Sequence, residues 1–320
     1  MNILGLQSEG WISMIYLNFK SYAQNGRWLS GSSDIFTLIH QVLLTPLSES
    51  QREFLILIGM TDEFTAEQAA YLWQHADAQS LLDSLSKNNA FITRSEHGIY
   101  RYHHMLRHCV QLMFADKPEG YRRESYSRLG NWYLKEQEYI AAYFAFDNAQ
   151  DWVGLLTTLI KDNAKSLNSE HSQSLLRWSK DCPEEVLLQY PAAIVLFMFK
   201  LFVFHHIHEI KRMKGLLLAS LEQNTSLTQE ERNNLLGDAE VSESLLVYND
   251  ISAMSAYHRR ACLLLRRSTV SVDVKATWTL SCPSVFMSYH RRVGCADSES
   301  AEMKECMPFY YHVSDGHGNG

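Results

Sequence analysis

The segment from Arg123 to Gly154 places small and aromatic residues at regular spacings, and it limits the possible folds of this 320-residue chain more than any other feature. Its sequence is RESYSRLGNWYLKEQEYIAAYFAFDNAQDWVG. Gly130 and Ala142 are small enough for two helices to approach closely, and the aromatic residues fill the groove toward the next helix pair. A helix pair buries its faces only against neighbouring pairs. From about Tyr121 onward, the sequence therefore predicts stacked helix pairs.

These spacings match the tetratricopeptide repeat when the repeat starts at Arg123. The proline that ends the pattern is replaced by Gly154, and the next repeat length keeps only Ala164 and Pro183. The residues at pattern positions are Tyr126, Leu129, Gly130, Tyr133, Ala142, Phe146 and Ala149. The spacing of apolar residues predicts further helices beyond this repeat. They span residues 172–180, 184–204, 209–223, 229–246 and 251–264.

Residues 48–117 have a different pattern, in which helices give way to a short hairpin. Thr65 is a favourable N-cap, and Gln68 three residues later completes a capping box. Two β-type runs, 91–93 and 99–102, are joined by a tight turn. Helices are predicted at 50–59, 65–75, 78–87 and 104–115. Three helices, a hairpin and a closing helix make a winged helix.

The composition narrows the environment in which the chain works. Its net charge is −7, with 29 basic and 36 acidic residues, which gives no general attraction to nucleic acid or to anionic membranes. The longest apolar stretch, Ala192–Phe204, is shorter than the roughly 20 residues that cross a bilayer. The six cysteines lack Cys-x-x-Cys spacing, and no secretory signal is recognisable at the start. These features predict a cytoplasmic protein without a membrane span.

The sequence motifs of common catalytic and nucleotide-binding sites are absent. The chain has no P-loop, no Gly-x-Ser-x-Gly and no His-Glu-x-x-His. The remaining metal candidates are His104 with His108 beside Cys109, and His205 with His208. Metal sites need about three or four converging ligands, so polar histidines at helix ends are the favoured interpretation. We therefore expect no catalytic residue, no metal site and no enzyme; a hydrolase is disfavoured because no nucleophile–base pair is visible.

A winged helix often places its third helix in the DNA major groove, so DNA binding is an alternative for this unit. The segment 61–89 carries five acidic residues against the single base Lys87, a charge of −4. Phosphate contacts need the opposite sign. The hairpin adds only Arg94, Glu96 and Arg101. Charge therefore disfavours direct DNA reading by this unit.

Aromatic residues at the repeat positions already have a packing role, so most of them are expected in the core. The other interpretation is that a minority lines a concave groove between helices. The candidates for binding a ligand or a partner are Tyr126, Trp132, Tyr133, Tyr139 and Trp152.

The predicted winged helix also carries a specific series of residues between Phe64 and Phe114. The series consists of Leu81-Leu82, Asn88-Asn89, Phe91 and the sequence Tyr-Arg-Tyr-His at 100–103. It resembles the winged-helix segment of the large ATP-dependent LuxR-type transcriptional regulators, the MalT-like regulators of the STAND class. Residues 175–193 are similar to the repeat region of these regulators, and residues 9–17 resemble the helix that closes their ATPase module.

The resemblance implies a mainly α fragment of such a regulator, in which a winged-helix unit is followed by a tetratricopeptide-like helical-repeat array. The fragment would lack the P-loop ATPase core and the C-terminal helix-turn-helix. The expected domains are the last helices of the ATPase module at 1–47, the winged helix at 48–117, the repeats at 118–265, and a truncated continuation of the array at 266–320.

The function implied is that of a regulatory segment. An inducer small molecule or a regulatory protein would bind the helical repeats and thereby control self-association. ATP would bind only to the missing upstream module, and DNA only through the missing C-terminal domain. The alternative is a helical-repeat scaffold for protein interactions that receives no small-molecule signal; a stable partner bound without any inducer would favour it.

Overall fold

A computed structural model describes residues 44–315, apart from 76, 89–91, 248–249 and 272–292, together with residues 19, 22, 23, 26 and 40. The described residues are mainly helical, with a winged-helix unit followed by further helices, which confirms the predicted fold class. The chain divides into two compact units, Met1–Glu136 and Gln137–Gly320, here called the first and the second unit. The helices expected at 1–47 lie almost entirely outside the described residues.

The first unit contains the winged helix, whose helices begin where the sequence provides caps. The Ser48 side chain accepts a hydrogen bond from the Gln51 N–H, and the Gln51 side chain accepts one from the Ser48 N–H. The Thr65 hydroxyl accepts from the Gln68 N–H, as predicted, but the side-chain amide nitrogen of Gln68 is buried without a hydrogen-bond partner. The elements are α1 (Glu49–Ile58), β1 (Glu63–Phe64), α2 (Ala66–Trp73), α3 (Ala78–Asn88), β2 (Ile92–Arg94), β3 (Tyr100–Tyr102), α4 (His104–Ala115) and α5 (Glu119–Lys135).

The predicted hairpin is present, and it belongs to a three-stranded antiparallel sheet in the order β1-β3-β2. Phe64 of β1 pairs with Tyr100, and Ile92 of β2 pairs with Tyr102. The strand β1 was not predicted, because two residues are too few to show an alternating pattern. The Phe64 ring stacks on Tyr100 at 5.8 Å and meets Tyr102 edge-on at 5.3 Å. This aromatic contact fixes β1 to the wing.

The helix α5 packs on the winged helix, and it also carries the first half of the tetratricopeptide-like segment. The buried Trp132 ring lies 5.2 Å from the Tyr71 ring of α2. Nη1 of Arg128 donates to the carbonyl oxygen of Leu72 at 2.7 Å. Trp132 of this helix is therefore part of the core of the first unit.

The second unit is a series of packed helices. The predicted single helix 184–204 is broken, because Pro191 lacks an N–H and disfavours helical backbone at the residue before it. The helices are α6 (Tyr139–Ala149), α7 (Trp152–Asp162), α8 (Ser172–Asp181), α9 (Glu184–Leu187), α10 (Pro191–Val203), α11 (Ile207–Gln223), α12 (Gln229–Ser244), α13 (Ile251–Leu264) and α14 (Ala296–Ser314), with short 3-10 turns at Ser169–His171 and Leu245–Val247.

Neighbouring helices of the second unit pack in pairs, α6 with α7, α10 with α11, α12 with α13, and α13 with α14. Gly154 of α7 lies directly against the buried Phe146 ring of α6. One turn earlier on α6, the Tyr143 ring stacks on the fully buried Trp178 of α8 at 5.5 Å. A small residue and large aromatic residues therefore join α6 to both neighbours.

The segment that follows α13 ties two distant helices together. The Val270 N–H donates to Oδ1 of Asp238 at 3.0 Å, and the Val270 carbonyl oxygen accepts from Nδ2 of Asn163, also at 3.0 Å. Asp238 of α12 is fully buried, and its Oδ2 binds Nη2 of Arg267 at 2.6 Å. Asn163 ends α7. Residue 270 thus connects the end of α7 to the middle of α12.

Within the described ranges, none of the helices combines the length with the hydropathy that crossing a bilayer requires.

Candidate functional site

Three of the five predicted binding residues lie on α5 in the first unit. Trp132 is buried against Tyr71, and the Tyr126 ring meets the Phe114 ring edge-on at 5.5 Å. Burial raises the pKa of the Tyr126 hydroxyl. Tyr133 is half-buried. The Tyr126 and Trp132 rings therefore serve packing within the first unit.

The other two predicted residues, Tyr139 and Trp152, lie in the second unit. Tyr139 is half-buried at the first residue of α6. Trp152 is half-buried at the first residue of α7 and lines a polar cleft. Of the five candidates, Trp152 is the one that takes part in this cleft.

The cleft has a volume of about 420 Å³ and is formed by three helices of the second unit. Asp147 comes from the last turns of α6, and Gln150 ends that helix in the left-handed conformation, with φ of 53°. Trp152 follows after the turn, where Asp151 caps α7 by accepting a hydrogen bond from the Gly154 N–H at 2.9 Å. The lining is completed by two residues of α8 one turn apart, Arg177 and Asp181.

Arg177 is held by a carboxylate from another helix. Its Nη1 donates to Oδ1 of Asp147 at 2.9 Å, and its Nη2 donates to Oδ2 of the same carboxylate. The Asp147 side chain is 13% exposed, and the hydrogen bonds to it raise the pKa of Arg177. A two-pronged pair of this kind is geometrically specific. Arg177 also lies 3.9 Å from Oδ2 of Asp181, so its charge sits between two carboxylates.

This arrangement is suited to binding rather than to bond-breaking chemistry. The cleft offers an aromatic ring, an amide, a guanidinium group already in use and two carboxylates. Groups of these kinds can orient a small polar molecule through hydrogen bonds and ring contact. Of the residues that line the cleft, only Trp152 was predicted from the sequence. The other four, Asp147, Gln150, Arg177 and Asp181, were not predicted.

The sequence contains a pattern that could have indicated some of these residues, but not Asp147. Arg177 lies on the predicted helix 172–180 and Asp181 follows directly after it, four positions from Arg177, so extending that helix by one residue places both on one face. The partner Asp147 lies 30 positions earlier, and nothing in the local sequence links it to Arg177. Its role depends on how α6 and α8 pack.

The histidine and cysteine candidates do not form a metal cluster in the part of the chain that the structure describes. Burial raises the pKa of the Cys109 thiol to about 11, so Cys109 is a neutral, buried side chain. The rings of His103 and His104 lie 4.3 Å apart. His205 and His208 are exposed.

One serine–histidine hydrogen bond joins residues that the sequence did not connect. Oγ of Ser172 and Nε2 of His206 are 2.8 Å apart. The two residues stand at the start of α8 and immediately before α11. We interpret this bond as a tether between the two helix starts.

The two arginines of the wing are paired with acidic residues of the same unit. Arg101 binds Glu63 of β1, and Arg94 lies 3.6 Å from Asp83 of α3. Asp83 also accepts hydrogen bonds from Gln79 and from the Tyr100 hydroxyl, and these two bonds, the one from Gln79 first, lower its pKa. Both arginines of the wing thus lie beside carboxylates of the same unit, which reduces the net positive charge that the wing offers to phosphates. The geometry therefore adds to the charge argument against DNA reading by this face.

A family model of the MalT winged helix domain matches residues 40–121. No curated protein matches the chain. The match covers the described sheet and the helices α1 to α4. The segment 40–121 of this chain is thus similar to the winged helix of MalT.

Proposed function

We propose that this chain is the regulatory segment of a MalT-like, LuxR-type transcriptional regulator of the STAND class. The observation that carries the proposal is the match of residues 40–121 to the MalT winged helix domain, followed by the helices of the second unit. The resemblance of residues 175–193 to the repeat region of such regulators, noted above, falls on α8, on α9 and on the start of α10. Two separate stretches of the chain thus support the same assignment.

In this proposal the second unit receives the signal. The packed helix pairs of the second unit offer surfaces for a partner protein, and the cleft beside Trp152 gives a small molecule a place to bind. The bound inducer or regulatory protein shifts self-association by binding one of two arrangements more tightly than the other. Without such a difference in affinity, binding leaves the equilibrium unchanged.

The remaining functions of the regulator belong to other modules. ATP binds to an ATPase module and DNA to a helix-turn-helix, and we assign neither to these residues. The segment acts in the cytoplasm and has no catalytic role.

Genomic sequence on both sides tests whether the segment belongs to such a regulator. An upstream P-loop and a downstream helix-turn-helix in the same reading frame are expected, and unrelated reading frames on both sides contradict the proposal.

The signal-dependent part is tested by sedimentation velocity on the purified chain. The chain is measured alone, with a dialysed extract of the host cells, and with the low-molecular-mass fraction of that extract. A change in sedimentation with the low-mass fraction is the expected result for an inducer, and a change with the dialysed extract that needs no small molecule supports the protein scaffold. An unchanged distribution in both cases argues against signal-controlled self-association.

A further inference from the structure

The two carboxylates of the cleft are bound to very different extents. The Asp147 carboxylate is 13% exposed, and both of its oxygens accept hydrogen bonds from Arg177. Asp181 is 53% exposed, and its nearest cation is Nη1 of Arg177 at 3.9 Å, beyond hydrogen-bonding distance. The Asp181 carboxylate therefore keeps most of its capacity to accept hydrogen bonds from a ligand.

The charge of the ligand that the cleft favours follows from this difference. Two carboxylates and one guanidinium give the lining a charge of −1. An anion would have to compete with Asp147 for the fork of Arg177, which already makes two hydrogen bonds there. At Asp181 a cation competes only with the Arg177 guanidinium at 3.9 Å, which makes no hydrogen bond to that carboxylate. Electrostatics thus select a positively charged ligand.

The Trp152 indole provides the second contact that such a ligand needs. A tryptophan ring attracts an ammonium or guanidinium group through its negative face, and it also covers the apolar stem of an amine. Gln150 adds an amide that donates and accepts hydrogen bonds. The volume of about 420 Å³ is that of a small-molecule site.

We infer that this cleft binds a small organic cation, with its ammonium or guanidinium group at Asp181 and its apolar part against Trp152. The inference rests on the proposed function in so far as the cleft is taken as the place of the signal. A basic side chain of a partner protein presents the same chemistry as a free amine, so the test includes both sources.

The test uses the full chain labelled with 5-fluorotryptophan, because fluorine NMR then reports on each tryptophan separately. The Trp152 resonance is identified as the one that disappears in Trp152→Phe. The probes are n-butylguanidinium, its neutral analogue n-butylurea, the anion butyrate and a capped peptide with a single arginine. Butylguanidinium is expected to shift the Trp152 resonance, and the neutral and anionic probes to leave it in place.

Asp181→Asn is the matching variant, since Asp181 is exposed and its loss does not disturb the core. It is expected to weaken butylguanidinium binding by about 1.5-fold to fivefold, the usual range for an exposed ion pair. Glu230→Gln removes the same charge from the exposed start of α12 and serves as the control, with unchanged binding.

The outcomes separate this inference from the proposed function. Equal binding of butylurea and butylguanidinium, or equal binding by wild type and Asp181→Asn, overturns the cation assignment. No shift with any probe overturns the assignment of the cleft. Tighter binding of the peptide than of butylguanidinium supports the cation site and indicates that its ligand is a basic side chain of a partner protein. In each case the sedimentation experiment, repeated with Trp152→Phe, shows separately whether a signal still controls self-association.

Discussion

Phe146 and Gly154 touch so closely that no side chain fits between them: a Cβ atom on Gly154 would lie 2.3 Å from Cε1 of Phe146. Phe146 is fully buried, so its ring has little room to move. Gly154→Ala is therefore expected to lower the free energy of unfolding of the second unit by about 1–3 kcal/mol, the usual cost of overpacking. Chemical unfolding followed by circular dichroism measures this.

Gly215→Ala is the control for that substitution. Gly215 lies inside α11, and a Cβ atom there meets nothing within 4 Å. Alanine should stabilise this helix by about 0.5–1 kcal/mol, because glycine is costly in a helix. The double variant Gly154→Ala, Phe146→Leu should recover part of the loss. If Gly154→Ala were as stable as Gly215→Ala, the close contact would not exist in solution.

Trp132→Ala distinguishes a packing role from a binding role for the predicted aromatic residues. Trp132 is 8% exposed and lies on Tyr71 of the winged helix. Its loss should reduce the free energy of unfolding of the first unit by about 3–5 kcal/mol, as for other buried large residues. Asn131→Ala, at the exposed neighbouring position, should have almost no effect. A Trp132→Ala variant as stable as the wild type would instead support a surface binding role for Trp132.

Arg267→Met tests the buried carboxylate of Asp238. Asp238 is fully buried and its carboxylate is paired with Arg267, which is 40% exposed. Removing one member of such a pair leaves a buried charge alone, and we expect a loss of about 3 kcal/mol. In the double variant with Asp238→Asn, part of this stability should return, because the neutral amide oxygen still accepts the Val270 N–H. Equal stability of wild type and Arg267→Met would show that the pair is not needed.

The stability of the second unit should fall as the pH decreases from about 6.5 to 4, and His258 is the reason. His258 is buried, stacks on Tyr310 at 4.0 Å, and donates from Nδ1 to the Met254 carbonyl oxygen at 3.1 Å. Burial lowers its pKa to about 4. The unfolded chain therefore binds a proton in this pH range that the folded chain does not, at a cost of up to about 1.4 kcal/mol per pH unit.

Unfolding measured at pH 4.5, 5.5, 6.5 and 7.5 checks this for wild type and His258→Asn, whose amide keeps a donor toward Met254. The variant should lose most of the slope between pH 4.5 and 6.5, whereas the two proteins should show similar slopes above pH 7. An identical slope in both proteins across the whole range would exclude His258 as the source.

Much of the winged helix could be predicted, because its signals are local. Thr65 caps the helix that follows it, and the helix at 104–115 has the bounds of α4. The strand at Glu63–Phe64 could not be found, since it is defined by its pairing with β3. Pro191 did carry a usable signal for the break between α9 and α10, but the apolar run around it outweighed the proline in the prediction.

The cleft was harder to predict than the fold. Trp152 was predicted as a binding residue because it is aromatic. The local sequence does not indicate which face of α7 it occupies. The pairing of Asp147 with Arg177 joins two helices, so it depends on their packing and not on either helix alone. Trp132 was likewise predicted as a binding residue because it is aromatic. Its packing contact with Tyr71 joins residues far apart in the chain, and the local sequence does not show it. Long-range side-chain pairs are thus the part of the structure that a single sequence conceals.

The two hydrogen bonds of the Val270 backbone have a consequence for the order of folding. Asn163 and Val270 are 107 positions apart, so their bond closes a very long loop. Such closure is entropically unfavourable until both ends are already held in place. The bonds to Asn163 and Asp238 should therefore form after the transition state, and their loss should accelerate unfolding while leaving the folding rate nearly unchanged. Residue 270 then governs how long the second unit stays folded more than how fast it forms.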